Sequence, residues 1–281
     1  MASPIVFYDV TCNNEGITHD SQRAVSVNTW RVRYALNIKG IPYKTVWLDY
    51  AEIKETIKAL GAEPSGTSRS GEPRYTVPTI YDPSTKRTVT DSYKILDYLD
   101  AQYPDTPALL PPGTRALQQA FIQNVTTPLA LTLFPVLVLD MLPMITETGA
   151  PVWRAMAEDM VGARLEQIVP QGEQRAGTIE AFLARLDAVG KAMGANGDGA
   201  VFLTGDAPSG ADCDLAAWLT LWERVTAKKE GALWKQIMEV STWCQWAINV
   251  RTIPFVFLRD DDLRGFLSRH SWSTESSRLC S

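Results

Sequence analysis

Histidine is nearly absent from this chain: His19 and His270 are the only two in 281 residues. Two histidines without a ligand motif around them cannot build a multi-histidine metal centre, and no metal site is expected. Both read as surface residues. A Ser-His-Asp hydrolase is equally unsupported, because no Gly-x-Ser-x-Gly elbow occurs. Cysteine is scarce too. Cys12, Cys213, Cys244 and Cys280 show no Cys-x-x-Cys or paired spacing, which argues against a disulfide framework and for a reduced, cytoplasmic compartment. Positive charge is not in excess. With 27 basic and 32 acidic residues the net charge is −5, so neither nucleic acid nor an anionic membrane is an expected partner. No basic stretch followed by an apolar core opens the chain, so no secretory signal is read. Long apolar runs are missing as well. The most apolar, Leu129 to Leu142, is interrupted by Pro135 and Asp140. It is too short for a membrane span and reads as a buried helix.

What is present is enough hydrophobic residue, 45%, for a sizeable core in one large or two medium domains. The segment from Pro104 to Gly113 holds four prolines and a glycine and cannot continue a helix, so it divides the chain. Residues 1–104 form one predicted domain and residues 114–281 the other. Before the linker, strands and helices alternate. Ile5 to Tyr8 reads as a strand. Asn28 to Lys39 reads as a helix stopped by Gly40, and Tyr43 to Asp49 as a strand. Glu52 to Leu60 is helical. Thr79–Tyr81 and Thr88–Val89 flank a Pro83-Ser84 turn, and Asp91 to Tyr103 is a helix. The polar stretch from Glu63 to Pro73, rich in Gly, Ser and Pro, is expected to be a mobile loop near a ligand. After the linker nearly everything has helical period: 114–147, with kinks or breaks at Pro128, Pro135 and Pro143, then 151–168, 174–193, 209–228 and 231–249.

The most informative stretch runs from Arg74 to Ile80. A Val77-Pro78 step opening a short apolar strand points to a proline held cis, a minority state that a fold keeps for a use. Such a proline turns the preceding N–H and C=O outward, free to pair with the peptide of a ligand. A dozen residues on, Asp91 and Ser92 open an apolar-periodic helix. Its free N–H groups and hydroxyl make a carboxylate site. Together these features hold a small anionic peptide.

Four motifs in order make the chain resemble the glutathione transferases over residues 4–260: Ser26 to Leu36, Val77-Pro78, Asp91-Ser92, and Phe202 to Asp212. The resemblance implies an α/β thioredoxin-like N-terminal domain and an all-α C-terminal domain. It implies glutathione as co-substrate and Ser26 as the hydroxyl that stabilises its thiolate. A free thiol, with a pKa of about 8.5, is mostly protonated near neutrality, so a hydroxyl at a helix start has a task there. The cap-forming alternatives stay open, since Ser26, Asn28 and Thr29 are all good N-caps. Where the family often has proline after the serine, this chain has Val27. Asn28, Thr29, Thr76, Val77, Pro78, Asp91 and Ser92 are implied to bind glutathione. Val77 would do so through its backbone, Ser92 at the γ-glutamyl carboxylate and Asp91 at the ammonium. Asp91 is one methylene shorter than the family's frequent glutamate. Arg74 and Arg69 are candidates for the glycyl carboxylate. Ser209 and Asp212 read as a capping box with a structural role.

The electrophile is expected between the domains, against Phe121, Leu129, Phe134 and Trp222. For any one of these, core packing is the competing reading. A serine at position 26 argues against thiol–disulfide exchange, which needs a nucleophilic cysteine. Asn28-Thr29-Trp30, the extended 63–73 loop and the long tail resemble the etherase-related transferases of wood-degrading fungi. That likeness implies thiolate attack on aromatic electrophiles, with cleavage of β-aryl ethers. The rival reading is a non-catalytic carrier, a ligandin, of aromatic or phenolic metabolites. The resemblance also implies a homodimer.

Overall fold

The computed structural model describes residues 3–13, 23–197, 201–229 and 231–240. His19, His270, Cys244, Cys280 and the expected tail lie outside the described residues. Two compact units emerge: residues 1–108 with 139–168, and residues 109–138 with 169–281.

The first unit is built on a four-stranded sheet. Strands β1 (Ile5–Val10), β2 (Tyr43–Leu48), β5 (Thr79–Asp82) and β6 (Arg87–Thr90) lie in the order β2-β1-β5-β6. β1 and β2 run parallel, with Ile5 opposite Tyr43, which requires a crossover between them. Helix α1 (Val27–Lys39) lies in that crossover. It stops at Gly40, whose φ of 63° is a left-handed value that glycine adopts without strain. β5 and β6 pair antiparallel through the Pro83-Ser84 turn, as the sequence predicts. Helix α2 (Tyr50–Ala59) starts two residues before its predicted position. Asp49 caps it, and Glu52 reaches back to the Asp49 N–H in a capping box. Helix α3 (Ser92–Gln102) follows β6.

α1 departs from a one-sided helix. Apart from Asn28, all its residues are buried, including Arg31, Arg33, Asn37 and Lys39. Buried charge needs partners. Lys39 Nζ donates to Asp100 at 2.8 Å and to the Pro107 carbonyl at 3.0 Å. Arg33 pairs with Asp9 at 2.7 Å.

The stretch read as a mobile loop is instead a small hairpin, β3 (Gly66–Thr67) with β4 (Pro73–Arg74). Its tip is anchored on helix α6 (Ala150–Val161). Arg74 pairs with Asp159, and Arg69 donates to the Met160 carbonyl at 3.4 Å. The partners lie 85 and 91 residues along the chain, so local composition carries no sign of them. Gly162 ends α6 with φ 74°, and a Cβ there would meet Arg69 Nη2 at 3.1 Å. The predicted helix over 151–168 is accordingly split into α6 and the short α7 (Leu165–Ile168).

The second unit is helical. α4 (Arg115–Phe121) continues through a widened π-turn, Ile122–Thr126, into α5 (Thr127–Met141). There the Thr127 N–H bonds Ile122, five residues back. Pro128 follows at once. It has no N–H to give, and its ring would press on the carbonyl four residues back in a regular helix, which the wider turn relieves. Pro135 stays inside α5, and Pro143 sits in the 3-10 turn Leu142–Met144 that ends the run. By length and composition alone the stretch Arg115–Met144 is long and apolar enough to cross a membrane, more than the shorter run suggests in sequence. Leu129, Ala130, Leu133, Val136, Leu137 and Val138 are buried within the protein. α8 (Gly172–Gly194), α9 (Gly210–Lys229) and α10 (Gly231–Glu239) complete the unit.

Candidate functional site

Ser26 occupies the N-cap position of α1 with extended backbone, φ −90° and ψ 130°. Its side chain makes no capping bond. Its carbonyl is fully used, accepting from Trp30 N at 3.0 Å and from Thr29 Oγ1 at 3.0 Å. The half-buried hydroxyl is therefore held at the start of a helix without being spent on it. Thr29 is buried, so of the three alternatives it is the least available to a ligand. Asn28 is exposed and accepts from Arg31 Nη1 at 2.9 Å.

Arg31 is the residue that sequence reasoning misses. It is 5% exposed, and the same Nη1 donates to Ser92 Oγ at 2.6 Å. Its guanidinium lies 4.5 Å over the Tyr93 ring. A cation on α1 thus joins Asn28 to the first residue of α3. Only a helical register placing Arg31 toward α3 could signal this, and a helix buried all round gives no such register.

The Val77-Pro78 peptide is cis. Val77 is buried, and among the described residues neither its N–H nor its C=O is taken by a protein group. Buried backbone groups are seldom left so. The Pro78 carbonyl accepts from Asp91 N at 3.3 Å, which brings this loop to the start of α3. Asp91 has φ 84°, a left-handed value rare for a non-glycine residue. Its Oδ1 accepts from Tyr93 N at 3.0 Å and Lys94 N at 3.1 Å, capping α3. The Ser92 side chain is buried against Arg31. Thr76, half-buried, donates to Ser65 Oγ at 2.7 Å.

Several expected residues stand elsewhere. The Arg74 guanidinium is turned onto Asp159, and Arg69 lies against Gly162. In the second unit Phe121 and Phe134 are half-buried and retain exposed surface. Leu129 and Trp222 are 1% exposed and present none to a ligand. Trp222 packs edge-on to Phe182 at 4.9 Å and stacks with Trp218 at 6.4 Å, so it is core. The Ser209-Asp212 pair is internal and reversed in part. Asp212 accepts from Ser209 N at 2.9 Å as expected, but the Ser209 hydroxyl donates to Asp212 at 2.7 Å instead of capping the helix.

A serine hydroxyl at a helix start, the Val77 peptide edge beside a cis proline and the Asp91-capped start of α3 thus all belong to one unit of β-α-β-α-β-β-α order. The family described as glutathione S-transferase, N-terminal domain, matches residues 22–107. The one described as glutathione S-transferase, C-terminal domain, matches residues 116–249. Glutathione transferase GSTFuA3 of Phanerochaete chrysosporium is 35% identical, with a TM-score of 0.78, over 93% of this chain and all (100%) of that one. A glutathione S-transferase of Ceriporiopsis subvermispora, solved in complex with glutathione, is 33% identical, with a TM-score of 0.80, over 92% and 100%. The glutathione S-transferase-like protein ustS of Aspergillus flavus is 27% identical over 248 residues, 85% of this chain and 86% of that protein. The chain belongs to the glutathione S-transferase family.

Proposed function

We propose that this protein is a glutathione transferase in which Ser26 stabilises the thiolate of bound glutathione. The observation that carries the proposal is the Ser26 hydroxyl, placed at the N-terminus of α1 yet unused as its cap. A hydroxyl donor and the helix dipole both favour the anion. The Val77 N–H and C=O pair with the cysteinyl peptide. Ser92 and the N-terminus of α3 take the γ-glutamyl carboxylate, with Arg31 as the nearby cation, and Asp91 faces the ammonium. The strained Asp91 backbone fits this reading, because such strain gathers at ligand-holding residues. Arg74 would reach the glycyl carboxylate with the part of its guanidinium that Asp159 leaves open.

The proposed electrophile is aromatic, taken against Phe121 and Phe134, and the proposed subclass is the β-aryl etherase. Support for the subclass comes from the sequence motifs around Asn28 and from the 63–73 extension. In that reaction the thiolate sulfur forms a bond to the ether-bearing carbon, the C–O bond breaks, and the aryloxide leaves and takes a proton. A homodimer is the proposed assembly, checked by sedimentation.

The test is phenol release from a fluorogenic β-aryl ether, with and without glutathione, in wild type and Ser26→Ala. Glutathione-dependent release that falls at least about tenfold in the variant supports an etherase centred on Ser26. Wild type that binds glutathione but releases nothing rejects the etherase subclass and favours another electrophile or the ligandin role.

A further inference from the structure

A helix start already capped by a carboxylate is a poor site for a second one. Of the N–H groups that open α3, those of Tyr93 and Lys94 are given to Asp91 Oδ1, at 3.0 and 3.1 Å. The Asp91 carboxylate also sets a negative charge beside the place where a ligand carboxylate would come. What is left for a ligand is Ser92, through its N–H and its hydroxyl. Among the described residues neither hydrogen is given to a protein acceptor, although Ser92 is only 3% exposed. Buried donors left unspent are costly, so both suit an acceptor from outside the chain. The Pro78 carbonyl accepts from Asp91 N at 3.3 Å, so the Val77 peptide edge lies beside this end of α3.

Arg31 gives the hydroxyl its direction. Nη1 of a guanidinium carries two hydrogens and the group has no acceptor. One contact of Arg31 Nη1 goes to Ser92 Oγ at 2.6 Å and the other to Asn28 Oδ1 at 2.9 Å. The Ser92 oxygen therefore faces Arg31 as an acceptor, and its proton points away from the cation. Asn28, on the exposed side, anchors the second prong. Arg31 itself is 5% exposed and lies 4.5 Å over the Tyr93 ring, so it is held in place from both sides. A hydroxyl that accepts from a buried cation is polarised and becomes a stronger donor.

We propose that Arg31 is a positioning residue that makes the Ser92 hydroxyl a charge-backed donor to the γ-glutamyl carboxylate and so sets the preference for ligands that carry one. The inference rests on the reading of Ser92 as the holder of that carboxylate. It explains how an acidic cap and a carboxylate ligand share one helix start: the compensating cation stands behind the hydroxyl, on α1. The charge acts through Ser92 and not by its own contact with the ligand. An arginine suits the task because its fork meets two acceptors at once, which an ammonium does less well.

The test is calorimetry with two peptides, glutathione and 4-aminobutanoyl-cysteinylglycine, which is glutathione without the γ-glutamyl carboxylate but with its ammonium. Wild type is expected to bind glutathione at least about tenfold more tightly than the truncated peptide, as a charge-assisted hydrogen bond warrants. Arg31→Met removes the charge and both prongs at similar length. It should weaken glutathione about tenfold and leave the truncated peptide within about twofold of wild type. In a Ser92→Ala background the same substitution should change glutathione affinity by less than about twofold, since the hydroxyl it acts through is gone. An equal loss for both peptides means that Arg31 only holds α1 against α3, and overturns the proposal. An equal loss of glutathione affinity with and without the Ser92 hydroxyl means that the cation acts by its field alone, and overturns it too. Should Arg31→Met fail to fold, Arg31→Lys keeps the charge but not the fork and should lose at least about threefold of the preference for glutathione; a preference kept in full overturns the proposal. Wild type that binds neither peptide overturns the glutathione reading and this inference with it, whereas wild type that binds both equally overturns this inference alone.

Discussion

Arg74 and Asp159 form an ion pair between the small hairpin and α6, 85 residues apart in sequence. Both side chains are about a third exposed, at 32% and 29%, so solvent screens the pair and its contribution to stability is at most ~1 kcal/mol. Its larger effect is local. Asp159→Asn should shift the urea midpoint little, yet speed tryptic cleavage after Arg69 and Arg74. Mass spectrometry of the first fragments decides it. An unchanged cleavage rate would mean that the hairpin is held by its own backbone bonds.

Asp82 should govern part of the acid sensitivity. It is buried, which pushes its carboxyl up. Hydrogen bonds from Ser84, Tyr103 at 2.6 Å and Tyr98 at 2.7 Å outweigh that and hold it below the ordinary value. The Tyr98 phenol is pushed up to about 12, first by burial, and remains a donor throughout. A carboxyl depressed on folding stabilises fully above its unfolded pKa, about 3.9, and loses that contribution as pH falls through the folded value. Asp82→Asn should be less stable than wild type at neutral pH, and the gap should narrow as pH falls below about 4. Urea unfolding across that range checks this, and parallel curves would refute it.

At the start of α9 the carboxylate matters more than the hydroxyl. Asp212 accepts from Leu203 N at 2.9 Å as well as from Ser209 N and Oγ. Asp212→Ala strands buried donors and should cost about 3 kcal/mol, against about 1 kcal/mol for Ser209→Ala. Urea midpoints measure both. Equal losses would show that the pair acts as a cap and not as an anchor for the turn before it.

Trp222 should behave as core. Trp222→Ala ought to cost about 3–5 kcal/mol of stability and leave the affinity for glutathione unchanged by calorimetry. A stable variant with altered preference among electrophiles would instead return Trp222 to the substrate site.

Much of this was legible in residues near one another. The Val77-Pro78 step, the Asp91-Ser92 helix start and the alternation of β2 are local patterns, and local sterics decide them. Ser26 was legible as a helix-start serine, but its unspent hydroxyl was not, because all three neighbours Ser26, Asn28 and Thr29 can cap. What stayed hidden depends on distance. Arg31 meets Ser92 61 residues away, and Arg74 meets Asp159 85 residues away. The Glu63 to Pro73 stretch has the composition of a free loop and gains its order from α6. The π-turn before Pro128 was foreshadowed as a break, though its form follows from the lost N–H.

The stretch 139–168 groups with residues 1–108 and not with its neighbours in sequence. It supplies Asp159 and the Met160 carbonyl to the hairpin. It also supplies Thr146 and Thr148 to Asp49 at the head of α2, and the Met144 carbonyl to Asn13 N at 2.9 Å. The Pro-rich linker looks like a natural cutting point, yet a fragment ended there would lack the partners of three of its own loops. Modular exchange with a relative would have to move a discontinuous piece, so the two halves are free to diverge in sequence but not to be inherited separately.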